Sequence, residues 1–506
     1  MPAVDDVLCG LAANPGLPGG LVDRLIGLAD DDVVGVLAER GDLSRDQVVA
    51  LAGRGEDAVL SLAWAGRLAV GDVDPVSQPR AAIAMLDQGL GDVEWARVVA
   101  CDPVVEHRRK LASCPGLPDD VVERLAGDVD VSVVAELAWF ASAEVAAGLA
   151  RHPHADVRMA VADNPRTPPE VLEMLVTGVG LPPVRWCVVC ERVDVPFVHP
   201  ADCLRPDCDL PSGAACDGSH QWFVHWTRHA ALGNPGTSAG AAVGFADHPD
   251  GRMRWRVAER GGMPQEVYAR LAVDACPGVR GAVAGNPAVG EAVARLLAGD
   301  EDVSVVRKLA RNPAVPLDVL VSVAGVSKVG AELLPRVAAA SRGEVEELAA
   351  SGSSSVRALV AHRSDLPEAV RDALAVDPDA KVVKAVARHP GLSEGRLRGM
   401  VERHGVRVAA QVAVNPDVPW GLLEELALQV APVGRVLRAV AGRADARGAA
   451  LVACLGEARA RRVAAGHPAL PVEVIVELLG HEDGKVAEAA AANPSLPVEV
   501  MLRLLA

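Results

Sequence analysis

Aromatic side chains are scarce. They make up only 3% of this 506-residue chain, with one Tyr and four Phe, although half of all residues are apolar. A large enzyme core normally draws on Phe and Tyr, whereas Ala, Val and Leu suit thin layers in which helices approach closely. No apolar run reaches the roughly 18 residues of a membrane span, so no membrane partner is expected. A basic excess is also missing. The formal net charge of −17 argues against overall attraction to nucleic acid or to an anionic membrane surface. The opening MPAVDDVLCG is acidic where a signal peptide is basic, and ten unevenly spread Cys do not form a secreted disulfide scaffold. A cytoplasmic chain is the expectation. HExxH, GxSxG and kinase signatures are absent from the sequence, and no nucleophile–base pair is visible. No catalytic residue is assigned and no enzyme is expected.

What the sequence does have is self-similarity. Asn14-Pro15-Gly16-Leu17-Pro18 returns as Cys114-Pro115-Gly116-Leu117-Pro118, Asn164-Pro165, Asn234-Pro235, Asn286-Pro287 and Asn312-Pro313. It returns again as His389-Pro390, Asn415-Pro416, His467-Pro468 and Asn493-Pro494, with weaker copies at Arg260-Gly261 and Arg363-Ser364. The intervals 286 to 312, 389 to 415 and 467 to 493 are each 26 residues. Such a period marks a solenoid whose units cannot bury their apolar faces alone. In residues 301–326, Asp302 stands where an N-cap is needed, ahead of the helical spacing Val303, Val306, Leu309 and Ala310. Asn312 is expected in a left-handed or capping conformation, and Pro313 ends the helix. Pro316 opens a second helix carrying Leu317, Val319, Leu320 and Val323.

The unit Val-Arg-x-x-Val-Ala-x-Asn-Pro-x-x-Pro is carried by Val157-Arg158 with Val161-Ala162-Asp163-Asn164-Pro165, and by Val279-Arg280 with Val283-Ala284-Gly285-Asn286-Pro287. It is similar to the leucine-rich repeat variant (LRV) family, a HEAT-like α-solenoid. The resemblance covers nearly the whole chain outside residues 180–230. It implies an all-α, strand-free right-handed superhelix of about 17 repeats of 26 residues, built from short α and 3₁₀ helices without catalytic activity. Copies near 40–100 and 325–345 are degenerate.

Between Asn164 and Asn234 lie 70 residues where one repeat takes 26, so about 44 have been inserted. Residues 180–230 hold five of the ten Cys, four of the thirteen His and five of the thirteen aromatics. The resulting domains are N-terminal repeats 1–179, a Cys/His-rich insert 180–230 and C-terminal repeats 231–506. The spacing is Cys187-x2-Cys190-x12-Cys203-x4-Cys208-x7-Cys216-x3-His220. A CxxC knuckle points two thiolates at one ion, and the pair Cys203 and Cys208 closes a tetrahedron. That is the logic of a structural Zn²⁺ in a segment too small for its own core. Cys216 or His220 is then an alternative ligand, a supporting partner, or free. Pro196, Pro200, Pro206, Pro211, Gly213 and Gly218 favour loops over helices.

Cys216-Asp217-Gly218-Ser219-His220 also spells the pentapeptide of the CDGSH family, which it resembles. That resemblance implies a 2Fe–2S cluster held by three Cys and the His. The family has a Cys-x-Cys pair upstream, where this chain has Pro206 before Cys208, and a Pro where this chain has Ala214. Some LRV proteins carry a small Cys module holding a 4Fe–4S cluster. Zinc and the two clusters all stay open on the sequence.

Trp222, Phe223, His225 and Trp226 form either a partner patch or base-stacking platform, or the small core that seals the insert to the repeats. Arg158, Arg254, Arg280, Arg357 and Arg461 share one repeat position. They form either an anion-binding ridge or a column in which each Arg pairs with an acid of the next repeat, of the Asp128, Asp130, Asp300 and Asp302 class. The paired acids read as helix caps, Gly233–Gly240 as a repeat turn, and His152 and His248 as caps. The first functional expectation is a non-enzymatic scaffold whose curved face binds a protein, with a metal-stabilised insert adding a specific contact. The alternatives are an iron–sulfur redox or metal sensor and, third, a nucleic-acid-binding repeat protein. Neither end reads as a polar cap, so Val498, Met501, Leu502 and Leu505 are expected to be exposed, with end-to-end self-association as the consequence.

Overall fold

Several repeats begin with an acidic cap, as at Asp130, Asp250, Asp302, Asp379 and Asp483, and many turn on a proline. In the computed structural model, which describes residues 4–203, 205, 208, 210–326, 329–429 and 434–506, the Asp302 carboxylate accepts from Ser304 N at 2.8 Å and opens the helix Val303–Arg311. Val305, Val306, Leu309 and Ala310 are buried in it, while Val303, expected inward, is exposed. Pro316 then precedes the helix Leu317–Ser322, of which Val319 and Leu320 are buried. Among the described residues the chain forms 35 α-helices and one two-stranded ladder. The 3₁₀ helices expected beside the α-helices are confined, among the described residues, to Val70–Asp72 and Gly244–Asp247. The fold is an all-α solenoid of helix pairs interrupted by a small Cys-rich insert.

Asn312 is not left-handed. Its φ and ψ are −67° and 121°, and its work lies in the preceding repeat. Nδ2 donates to Asn286 O at 2.8 Å and Ala284 O at 3.0 Å, while Oδ1 accepts from Ala314 N at 2.9 Å. One buried amide thereby satisfies two carbonyls freed at the end of the neighbouring helix and pins its own turn. Asn286, Asn415 and Asn493 repeat the pattern on carbonyls 26 and 28 residues earlier. His389 reaches Ala361 O from the same slot at 2.8 Å. Arg260 and Arg40 do so through Nη1. The slot therefore takes any buried donor long enough to cross to the next repeat.

The chain divides into two compact units, Ala69–Ser327 and Met1–Leu68 with Lys328–Ala506. Within the first, Pro277–Gly285 packs on Val303–Arg311 and Ala155–Asp163 packs on Gln221–Gly233. Within the second, Ala458–Ala465 packs on Gly484–Ala491, and the other side of Gly484–Ala491 is covered by Val4–Ala13. Asn14 Nδ2 donates to Asn493 O and Ala491 O at 2.8 Å each, so the ladder runs from the C-terminal repeat into the N-terminal one. This overturns the exposed C-terminal face at two of its four residues. Met501 and Leu505 are buried, whereas Val498 and Leu502 are exposed. Among the described residues no helix is long and apolar enough to cross a membrane.

Candidate metal centre

The helix Pro169–Thr177 stops at Gly178, whose φ of 78° supplies the left-handed cap. The chain then leaves the repeat pattern until His220. This segment is anchored on the start of the helix Ala155–Asp163. Ala155 N donates to Trp186 O at 3.0 Å, Arg185 N to Pro153 O at 2.9 Å, and Val188 N to the Asp156 carboxylate at 3.1 Å. Phe197–Val198 pairs antiparallel with Ala215–Cys216, which brings Cys216 back towards the anchored knuckle. The common core is small: Ala155, Cys187, Val189, Ala214, Cys216 and Phe223 are buried together.

The Cys and His residues fall into two groups rather than one. Cys187 and Cys190 do not close with Cys203 and Cys208, as the spacing suggests. They meet Cys216 and His220, all four ligand atoms lying within 4.8 Å of one another. Cys187 and Cys190 Sγ are 3.7 Å apart, and Cys216 Sγ is 3.6 Å from His220 Nδ1. Tetrahedral zinc, with Zn–S of about 2.3 Å and Zn–N of about 2.0 Å, places sulfurs about 3.8 Å apart and sulfur and nitrogen about 3.5 Å apart. The four residues fit one ion of that kind. Cys187 N donates to Cys190 Sγ at 3.2 Å and Gly218 N to Cys216 Sγ at 3.4 Å, bonds that suit thiolates. His220 has φ 57°, the one non-glycine residue at positive φ among those described. A side chain is held in that region only where its surroundings fix it. Burial pushes the Cys187 thiol up to about 12, so a bound cation would be what draws off its proton.

The second group is His199, Cys203 and Cys208. His199 Nε2 lies 3.1 Å from Cys208 Sγ, and its Nδ1 is 3.1 Å from Pro211 O. A proton on Nδ1, donated to that carbonyl, leaves Nε2 free as a lone-pair donor, the arrangement common in metal-ligating histidines. His199 was missed as a ligand in the sequence, although it stands four residues before Cys203 inside the Cys-rich run. Both groups can hold a metal ion. Pro206, adjacent to the second group in sequence, lies outside the described residues.

The aromatic run divides: Phe223 and Trp222 pack in the small core, while His225 and Trp226 meet the next repeat. Residues 221–230, assigned to the insert by composition, belong to the repeat helix Gln221–Gly233, and Asn234 rejoins the ladder through Ala162 O and Asn164 O. Phe223 is buried in the small core and Trp222 packs partly against it. His225 Nε2 is 2.8 Å from Asp250, and Arg252 stacks over the Trp226 ring at 5.2 Å.

The arginine column is paired. Arg254, Arg280 and Arg357 each fork onto the Asp twenty residues on, Asp274, Asp300 and Asp377, and donate Nη1 to the carbonyl six residues back. Arg108 and Asp128 form a further copy. Arg461 meets His481 instead, at 3.4 Å, and Arg158 departs from the pattern. Asp130 and Asp302 cap helices as expected, and His152 and His248 accept backbone N–H bonds through Nδ1.

No family model matches the sequence, and no curated protein does. Solved structures do match. One is importin beta, at 12% identity over 94% of this chain, with a TM-score of 0.22. Another is the Pds5–Scc1 complex, at 12% identity over 96% of this chain, with a TM-score of 0.16. This chain spans 62% of the importin beta chain and 68% of the matched chain of the complex. At such scores neither likeness bears on function, and the fold rests on the helix pairs described above.

Proposed function

We propose that this chain is a non-enzymatic LRV-type repeat scaffold that binds a protein partner and carries a zinc-stabilised insert as its specific recognition element. The observation that carries this reading is the closed set Cys187, Cys190, Cys216 and His220. Four protein ligands around one ion leave no open position for a substrate, which is the form of a structural rather than a catalytic site. The ion would hold a loop-built module, residues 179–220, against one repeat, in place of the core that so short a segment cannot build. Exposed Trp139 stands on the preceding repeat helix, Val131–Phe140, and lines a cavity with Val188 and Arg192 of the insert. Ten free thiols suit a reducing, cytoplasmic setting.

The iron–sulfur sensor is disfavoured by the compactness of the four ligands, since a cluster places its own irons and sulfides between them. The nucleic-acid reading is disfavoured by the Asp partners that neutralise most of the arginine column. Metal analysis of chain purified under nitrogen without chelator tests the proposal. Zinc without visible absorption, with one equivalent lost in Cys216→Ser, is the expected result. Iron with acid-labile sulfide would replace the scaffold reading with the sensor.

A further inference from the structure

Arg158 is the member of the arginine column that no side chain meets twenty residues on. The chain carries Gly178 there, at the edge of the insert, where Arg254, Arg280 and Arg357 find an Asp and Arg461 finds His481. Arg158 is nevertheless 96% buried, with a relative exposure of 4%. Nε donates to His152 O at 2.6 Å and Nη1 to Pro182 O at 2.8 Å, a carbonyl of the insert, while Nη2 is buried with no partner. Burial lowers its hold on the proton, and no carboxylate offsets that effect. A buried, uncompensated guanidinium is costly unless something anionic meets it.

Arg158 lines a cavity of about 210 Å³ between the repeat helices and the first residues of the insert. A second arginine, Arg228, lines the same cavity, and its Nε is also buried without a partner. No acidic residue is among the lining residues described. The remaining walls are mainly apolar, with Leu175, Val184 and Val224 among them. One hydroxyl is present, that of Thr227, and it already donates to Phe223 O at 2.9 Å. A guanidinium pairs well with the flat, two-oxygen face of a carboxylate, and this cavity is lined by two, each with one unpartnered N–H. A phosphate or sulfate would press further oxygens against apolar wall with nothing to donate to them.

We propose that Arg158 and Arg228 form an anion site for a small organic monocarboxylate, whose short apolar body lies against Leu175, Val184 and Val224. The ligand takes the place of the missing Asp and completes the column at the point where the insert interrupts it. The site is independent of the metal ligands and requires only that the insert is folded.

Calorimetric titration and thermal melting of the metal-replete full chain test this with three probes: sodium isovalerate, the neutral isovaleramide and inorganic phosphate. Isovalerate is expected to bind one to one and raise the melting temperature, while isovaleramide and phosphate do neither. Arg158→Gln and Arg228→Gln should each weaken isovalerate by about tenfold or more, as loss of charged hydrogen bonds implies. Should Arg158→Gln fail to fold, Arg228→Gln decides, because that side chain is partly exposed. The proposal is overturned if none of the probes binds saturably, if the amide or phosphate binds as well as isovalerate, or if Arg228→Gln binds isovalerate like the parent chain.

Discussion

A single buried side-chain donor, most often an Asn amide, ties one repeat to the next through much of this stack. Asn312 satisfies two carbonyls of the preceding repeat and accepts from its own turn, so Asn312→Ala loses three hydrogen bonds and strands two buried acceptors. The expected cost is about 2–4 kcal/mol, read as a lower urea midpoint. Asn312→His should recover part of it, because His389 does the same work in the equivalent slot. The Arg–Asp column makes a second prediction at this scale. Hydrogen bonds from Arg108, Arg254 and Arg280 hold Asp128, Asp274 and Asp300 below the usual carboxylate range. A carboxylate depressed in the folded state adds stability above its unfolded pKa of about 3.9, and that stability is lost as the pH falls below it. Unfolding free energy should therefore drop as the pH is lowered through 4 and below, and Asp300→Asn should show a shallower acid limb. An unchanged limb would mean that the pair contributes nothing in solution.

At the scale of elements, the insert and the repeats rest on different physics. The repeats are held by buried aliphatic layers and the side-chain ladder, and the insert by a core of six buried residues and the ligands around it. Strong chelation is expected to open residues 179–220 to limited proteolysis while the helical circular dichroism stays nearly unchanged. Cobalt substituted at Cys187, Cys190, Cys216 and His220 should give the intense visible bands of a tetrahedral thiolate site. Cys216→Ser should lose most of that signal, whereas Cys203→Ser should spare it, since Cys203 belongs to the other group. Loss of the whole signal in Cys203→Ser would restore the pairing that the spacing alone suggests.

For the whole molecule, the termini matter most. Val4–Ala13 covers the helix Gly484–Ala491, and Arg24 Nη2 donates to Leu505 O at 2.8 Å. Deleting residues 1–28 uncovers buried Val486, Ala487, Ala490 and Ala491, and exposed apolar edges of repeat stacks associate. The shortened chain should show a mass that rises with concentration in sedimentation, and the full chain a constant one. A rising mass for the full chain would return end-to-end association to the account.

The residue pattern by itself determined the period, the caps and the proline turns, and offered Arg–Asp pairing as one of two readings of the arginine column. Those features repeat within a few residues or at a fixed offset, so one-dimensional spacing records them. It also located the insert, because composition changes there. It did not reveal what Asn312 bonds to, since the acceptors belong to the neighbouring repeat and nothing local marks them. Nor did it sort the ligands. Cys203 and Cys208 follow the first knuckle in sequence, but the ladder between Phe197–Val198 and Ala215–Cys216 folds them away and returns Cys216 and His220 in their place. The vacancy beside Arg158 came from the same source. Gly178 stands where the column elsewhere carries Asp or His, and only the packed structure shows that Arg158 is buried there.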